Sequence, residues 1–181
     1  MSVGEWVSSS LPYLAVHGGG SAADAWKAEG AARGGTGRQR IVYAGEVAAP
    51  AEVSVAFEGP EGMPVVIRRR VMYLDEQPCE LTDSYYPLSI ARGTPLAGTA
   101  KIRGGAVRLL AELGHTGVRV REDVLAALPD DEAQDVLGLA PGAPVLRIVR
   151  TTMDADDRAI QVDMMTMPAA LQRLRYEVRI G

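Results

Sequence analysis

One stretch of the sequence, from residue 64 to residue 87, constrains the fold more than any other. It reads PVVIRRRVMYLDEQPCELTDSYYP. Val65–Leu74 is rich in β-branched and aromatic residues, which favour a strand. Asp75 and Glu76 are polar and suit a turn, and Gln77–Tyr86 then alternates polar and apolar side chains. The stretch therefore predicts a β-hairpin that carries three consecutive arginines.

The three arginines cannot all lie on the same side of this strand. Because successive side chains of a strand point to opposite faces, Arg68 and Arg70 share one face and Arg69 lies on the other. Both faces are otherwise apolar, so we expect an internal strand with at least one partly buried arginine. A buried guanidinium needs an anionic or hydrogen-bonding partner. That partner is either a carboxylate of the protein or a ligand.

The composition limits the class of protein. A chain of 181 residues with 47% apolar residues fits one domain with a proper core. The formal net charge of −4 argues against nucleic-acid binding through a basic field. Cys79 is the single cysteine, so no internal disulfide can form. The sequence shows neither a signal peptide nor an apolar run of about 18 residues, and we expect a cytoplasmic protein with no membrane contact.

The rest of the sequence predicts more strands than helices, with the strands joined mostly as hairpins. Further strands are expected at Ile41–Ala48, Gly117–Leu128, Pro144–Met153, Ala159–Met167 and Arg173–Ile180. Helices are expected at Ala22–Glu29, Pro50–Phe57, Gly105–Leu113 and Pro129–Leu137, and a loop at Leu88–Leu96. This order predicts an α+β fold, a mainly antiparallel sheet with helices packed on one side.

Known catalytic motifs are incomplete in this chain. The segment HGGGS at His17–Ser21 is similar to the oxyanion loop of esterases, but the sequence has no G-x-S-x-G nucleophile elbow. One cysteine and two distant histidines do not match a zinc or iron site. The acidic run Asp154–Asp157 lacks the glycine and the final glutamate of an EF-hand loop. We therefore expect His17–Ser21 to be a glycine-rich loop and Asp154–Asp157 to be a solvated turn, and we expect no metal site.

One glycine pair stands before a predicted helix. Gly104 and Gly105 follow Lys101 and Arg103, and backbone N–H groups at such a position suit an acidic ligand. The alternative is an ordinary helix start with solvated basic residues.

An ordered set of motifs is more specific than any of these. The arginine strand is followed by D-x-x-P and S-Y-Y-P, and later by G-T-P-L, R-G-G and L-x-x-L-G-H. The segment Glu132–Arg150 contains LGLAPGAPVLRIVR, and Asp154–Asp163 and Arg175–Val178 complete the set. From residue 39 to residue 178 the chain resembles the UTRA domain, the effector-binding domain of GntR-type transcription regulators of the HutC subfamily.

This resemblance implies a chorismate lyase-like fold, an antiparallel sheet flanked by helices. It implies a bacterial homodimer that binds a small effector, such as an acidic metabolite, without a cofactor. It also implies that DNA is contacted only through a winged helix-turn-helix, which would precede the domain by about 70 residues. Residues 1–38 carry no such pattern, and we expect them to form a partly loop-like extension before a UTRA-like domain of residues 39–181. The chain would then be a truncated regulator or a stand-alone sensor.

The resemblance also suggests which residues bind the effector. Arg70 would be the cationic anchor, and Met72 stands where phosphosugar-binding members often have a second arginine. The proposed ligand-binding set is Arg70, Thr82, Ser84, Arg103, Gly104, Gly105, Gln161, Asp163 and Tyr176. The competing structural interpretation pairs Arg70 with Asp163 or Glu122 and places Tyr176 in the core.

Two other functions stay open at this point. The chain could be an interaction protein that modulates a full-length GntR-type repressor. It could instead be a lyase-type enzyme on the same fold, with Glu122 as its acid or base.

Overall fold

A computed structural model of the chain describes residues 7–8, 22–32 and 34–176, and the HGGGS segment lies outside these ranges. The strands are β1 (Val7–Ser8), β2 (Gly37–Ala48), β3 (Pro64–Leu74), β4 (Gln77–Pro87), β5 (Arg119–Ala127), β6 (Val145–Met153), β7 (Ala159–Pro168) and β8 (Arg173–Leu174). The helices are α1 (Ala22–Ala32), α2 (Ala51–Ala56), α3 (Leu88–Ala91), α4 (Gly105–Glu112) and α5 (Asp131–Leu137), with 3₁₀ turns at Pro95–Ala97 and Ala169–Leu171.

Six of these strands form one antiparallel sheet in the order β2-β3-β4-β7-β6-β5. The short strands β1 and β8 pair in parallel beside it. The predicted hairpin is confirmed as β3 and β4, and β3 is internal because β2 covers its other edge. Asp75 makes the turn with a left-handed φ of 55°, a conformation that aspartate tolerates better than most residues.

The helices pack on both faces of the sheet, so the prediction of helices on one side was wrong. Val53 of α2 packs against Ile67 on the face that carries Arg69, and α5 packs on that face through Leu137. Leu110 of α4 packs against Val66 on the opposite face. The physical reason lies in β3, which carries apolar side chains on both of its faces. Both faces must therefore be shielded from water by packed elements.

Two further segments differ from the predictions. The expected loop at Leu88–Leu96 contains α3 and the start of the first 3₁₀ turn. The expected strand at Arg173–Ile180 extends only over Arg173–Leu174, and residues 177–181 lie outside the described ranges. No helix in the described part of the chain is long and apolar enough to cross a membrane.

Candidate ligand-binding site

A cavity of about 810 Å³ lies between one face of the sheet and the elements that cover it. The floor is the face of the sheet that carries Arg70. The cover is formed by α1, by residues 99–102 and by the first two turns of α4. Residues 115–120, before and at the start of β5, close one side. This volume lies within the usual range for small-molecule sites.

The walls of the cavity are largely apolar. The apolar side chains that contribute to them are Trp26, Ile41, Met72, Ile102, Val107, Leu110, Val118, Val120, Ile148, Ile160, Met165, Met167 and Leu174. The central strands β3, β4, β6 and β7 contribute the polar side chains Arg68, Arg70, Glu80, Arg150, Thr152, Gln161 and Asp163, and further polar residues line the rim. Such a site combines a large apolar contact area with a few polar groups that orient a ligand.

Asp163 and Arg70 meet at the centre of this floor. The Asp163 side chain is almost completely buried, and both its oxygens accept hydrogen bonds from Gln161 Nε2, at 2.9 and 2.8 Å. Ser84 Oγ donates a further hydrogen bond to Asp163 Oδ1. Arg70 Nη2 lies 3.8 Å from Asp163 Oδ1, which is an ion pair too long for a hydrogen bond. The Arg70 donors therefore remain available to a group in the cavity.

A second ion pair lies at the β5–β6 side of the floor. Arg150 Nε donates to Glu122 Oε1 at 2.6 Å, and both side chains are 11% exposed. The antiparallel register places Arg150 opposite Glu122 on one side and opposite Asp163 on the other. Because the Arg150 charge is neutralised by a close carboxylate, this guanidinium serves a ligand less readily than Arg70 does.

Glu80 adds a carboxyl group to the same wall. Glu80 lies opposite Met72 in the pairing of β3 with β4, and its Oε1 accepts a hydrogen bond from Thr82. Burial raises the pKa of Glu80, and the hydrogen bond from Thr82 and the charge of Arg70 only partly oppose this effect. The raised pKa gives Glu80 a larger share of the neutral acid, which can donate as well as accept.

Arg68 has a structural role although it also lines the cavity. Its guanidinium donates to three backbone carbonyls, those of Pro95 at 2.9 Å, Gly98, and Ala100 at 3.2 Å. Burial lowers the pKa of Arg68, which is 4% exposed. These bonds fasten the segment that covers the cavity to the middle of β3.

Arg69 is confirmed on the opposite face of the sheet. It forms a bidentate pair with Asp83, with Nε–Oδ1 and Nη2–Oδ2 distances of 2.7 and 2.6 Å, and it also contacts Glu132 of α5. The two carboxylates raise the pKa of Arg69. The prediction that at least one arginine of the hairpin is held in a buried place is confirmed by Arg68.

The structure brings part of the predicted ligand-binding set together. Arg70, Gly105, Gln161 and Asp163 line the cavity, and so does Met72. These residues come from strands and a helix that are far apart in the sequence.

Thr82 and Ser84 are fully buried and do not belong to the cavity lining. Their hydroxyls donate to Glu80 and Asp163. Both residues are thus in positions to orient the carboxyl groups that line the cavity.

The remaining predicted residues lie elsewhere. Arg103 is exposed, and neither it nor Gly104 belongs to the cavity lining. Gly104 has a left-handed φ of 80° before α4, and the Gly105 N–H donates to the Ile102 carbonyl at 3.1 Å. Tyr176 is 62% exposed, and its hydroxyl lies 3.5 Å from Glu122 Oε2. The competing interpretation that Tyr176 belongs to the core is wrong, whereas the pairing of Arg70 with Asp163 is present in loose form.

Sequence reasoning overlooked several residues of the site, namely Trp26, Glu80, Arg150, Met165 and Met167. The alternation of side chains in VLRIVRTTM places Ile148 and Arg150 on one face. Without the register between β6 and β7, however, the sequence does not indicate that Arg150 lies beside Asp163. Within the described residues, no group of three or more His, Cys, Asp or Glu side chains is arranged to hold a metal ion.

Solved structures with the same arrangement are effector domains of GntR-family regulators. The effector domain of PhnF from Mycobacterium smegmatis superimposes with a TM-score of 0.71 over 86% of this chain and 94% of its own length, at 19% identity. The ligand-binding domain of a putative GntR-family regulator from Bordetella bronchiseptica gives a TM-score of 0.66 over 80% of this chain and 90% of its own, at 28% identity. The fold is thus that of an α+β effector domain of this class of regulator.

The sequence comparison is more specific. The UTRA domain profile matches residues 32–172, and the chain belongs to the UTRA domain family, the effector-binding domains of GntR-family regulators. An HTH-type transcriptional regulator of Streptomyces coelicolor is 34% identical over 119 residues, which is 64% of this chain and 44% of the relative. A second such regulator, from Rhizobium meliloti, is 27% identical over 73% of this chain and 54% of its own length. The chain thus spans about half the length of these relatives.

Proposed function

We propose that this chain senses a small-molecule effector in the cavity above the central strands, with Arg70 as the anchor for a polar or anionic group of the effector. The observation that supports this most directly is the position of Arg70. Its guanidinium lies in a partly open, largely apolar cavity, and the Asp163 carboxylate oxygen with which it pairs is 3.8 Å away. Gln161 and Asp163 would hold the effector from the neighbouring strand, with Thr82 and Ser84 orienting the carboxyl groups.

Thermal unfolding in the presence of metabolites would test this proposal. A ligand present at about 100 times its Kd stabilises the folded protein by about 2.7 kcal/mol. Replacing Arg70 by alanine is expected to weaken binding of a true effector tenfold or more, since a hydrogen bond to a charged group contributes about 1.5–3 kcal/mol.

The matched control is Arg147→Ala. Arg147 pairs with Glu52 at 3.1 Å and is not part of the cavity lining, so its removal should leave the ligand-induced shift unchanged. Equal shifts in wild type and Arg70→Ala for every stabilising compound would show that Arg70 is not the anchor.

We further propose that the whole protein is a cytoplasmic, homodimeric bacterial regulator, in which effector binding repositions a winged helix-turn-helix on operator DNA. Support comes from the two relatives, which are HTH-type regulators about twice as long as the part that they share with this chain. Light scattering of the purified 181-residue chain should give a dimer at micromolar concentration. A monomer under these conditions would contradict dimerisation through this domain.

A lyase-type activity has less support. Its candidate acid or base, Glu122, is bonded to Arg150 at 2.6 Å and also lies next to the Tyr176 hydroxyl. The Oε1 atom of this carboxylate is thus already occupied as a hydrogen-bond acceptor. Turnover of chorismate or a related enol-pyruvyl compound by this chain would reverse this assessment.

A further inference from the structure

We infer that the ligand of the cavity is an amphipathic organic acid, in which a single carboxylate is held by Arg70 and an apolar body lies along a wall of methionines. This inference rests on the effector-binding function proposed above. It specifies the charge and polarity of the effector and not its identity.

The floor of the cavity offers few cations to a ligand. Six arginines of the sheet line the cavity, and three of them, Arg38, Arg40 and Arg119 of the outer strands, are exposed to solvent. Among the three on the central strands, Arg68 donates to three backbone carbonyls and Arg150 is bonded to Glu122 at 2.6 Å. Arg70 has only its loose ion pair with Asp163, and it makes no side-chain hydrogen bond within the described residues. One guanidinium fork binds one carboxylate in a bidentate manner.

The surroundings of Arg70 are acidic. Asp163 lies 3.8 Å from it, and Glu80 is close enough for the two charges to interact. A phosphate dianion at this position would bring two negative charges towards two acidic side chains in a poorly solvated place, where repulsion is strong. A monocarboxylate brings a single charge, and the neutral form of Glu80 can donate a hydrogen bond to it.

An apolar surface rich in methionine lies beside Arg70. Met72 lies two residues from Arg70 on the same face of β3, and Met165 lies opposite Thr82 on β7. Met167 and Ile148 continue this apolar surface across β7 and β6. Thioether side chains adapt to irregular apolar shapes, whereas a sugar would leave its hydroxyls without partners against this wall.

The mouth of the cavity carries two lysines. Lys27 of α1 and Lys101 of the covering segment are exposed and belong to the lining. Exposed cations at an entrance attract anions over a distance set by the ionic strength. They would raise the association rate of an organic acid without specifying its body.

Titration calorimetry of the 181-residue chain with three probes tests this inference. The probes are octanoate, its neutral amide octanamide, and glucose 6-phosphate. We expect saturable binding of octanoate, at least tenfold weaker binding of octanamide, and no binding of glucose 6-phosphate at the same concentrations. In Arg70→Met, binding of octanoate should weaken at least tenfold while binding of octanamide stays the same.

Arg147→Met is the matched control and should leave all three affinities unchanged. Met165→Ala should weaken octanoate and octanamide by similar factors, because the apolar contact is common to both. Nonspecific adsorption of octanoate would instead be insensitive to Arg70→Met and would overturn the inference.

The outcomes also separate this inference from the proposed function. Binding of glucose 6-phosphate but not octanoate, lost in Arg70→Met, would overturn the amphipathic acid and keep the effector site. Absence of binding by all three probes would overturn it as well. The proposed function itself fails only if a broad metabolite set also produces no shift in unfolding temperature that depends on cavity residues.

Discussion

At the scale of single residues, the most consequential group is the Glu80 carboxyl, because it faces the cavity with a raised pKa. A carboxyl whose pKa is raised on folding binds its proton more tightly in the folded chain. Its contribution to stability is therefore complete below its ordinary value of 4.5 and is lost as the pH rises through the raised pKa.

We predict that Glu80→Gln removes this contribution to the pH dependence. The free energy of unfolding in urea, measured from pH 4 to pH 8, should fall less steeply with rising pH in the variant than in the wild type. At pH 8 the variant should be the more stable of the two, since it buries no charge at this position. Glu61→Gln, an exposed carboxyl, should keep the wild-type slope, and an unchanged slope in Glu80→Gln would contradict the assignment.

At the scale of elements, short helices depend on their ends and on the surface beneath them. Helix α5 has only seven residues, and a helix of this length is unstable alone. The Asp130 side chain accepts the Ala133 N–H at 2.8 Å at its start, and Gly138 ends it in the left-handed conformation. Ala133 and Leu137 bury its inner side on β3 and β4.

We predict that Asp130→Ala destabilises the domain by about 1 kcal/mol, because the cap bond of α5 is lost. Asp130→Asn keeps an acceptor at this place and should cost much less. Chemical denaturation of both variants checks the difference, and equal losses would mean that the cap bond is not the cause.

Residues 95–102, which include the part of the cover at residues 99–102, depend on the side chain of Arg68. Arg68→Met would leave the carbonyls of Pro95, Gly98 and Ala100 without this donor. Because a buried polar group without a partner costs about 1–3 kcal/mol, we predict faster amide hydrogen exchange across residues 95–105 and lower stability. Arg147→Met should change neither, and unchanged exchange in Arg68→Met would show that the segment is held by its apolar contacts alone.

At the scale of the whole molecule, the six-stranded sheet lies between helices that pack on its two faces. Strands β3, β4, β7 and β6 are paired on both edges, whereas β2 and β5 each pair on one edge only among the residues that the structure describes. We predict that native-state hydrogen exchange is slowest in β3, β4 and β7 and faster in β5, whose side chains are mostly exposed. Slower exchange in β5 than in β4 would indicate that a partner protects this edge.

Local pattern determined much of the fold. The sequence of residues 65–74 was sufficient to predict the hairpin and, from its two apolar faces, the internal position of β3. It also predicted that Arg69 and Arg70 lie on opposite faces, because side-chain direction in a strand follows from backbone geometry. The ordered motifs identified the family and with it the chorismate lyase-like class. The helix in residues 88–91 was missed because its four residues give no periodic signal.

Only the tertiary structure decided which residues share the cavity. Asp163 meets Ser84 and Arg150 through the register of β4, β7 and β6, and a register depends on long-range pairing that no single strand encodes. The family resemblance suggested Arg70 as an anchor. Without the register, however, the sequence left open whether Asp163 or Glu122 lies beside it. The packing of α1, α4 and residues 99–102 on one face of the sheet then covered most of Arg70. Partial burial strengthens the interaction of a single guanidinium with a charged ligand beyond its strength in water.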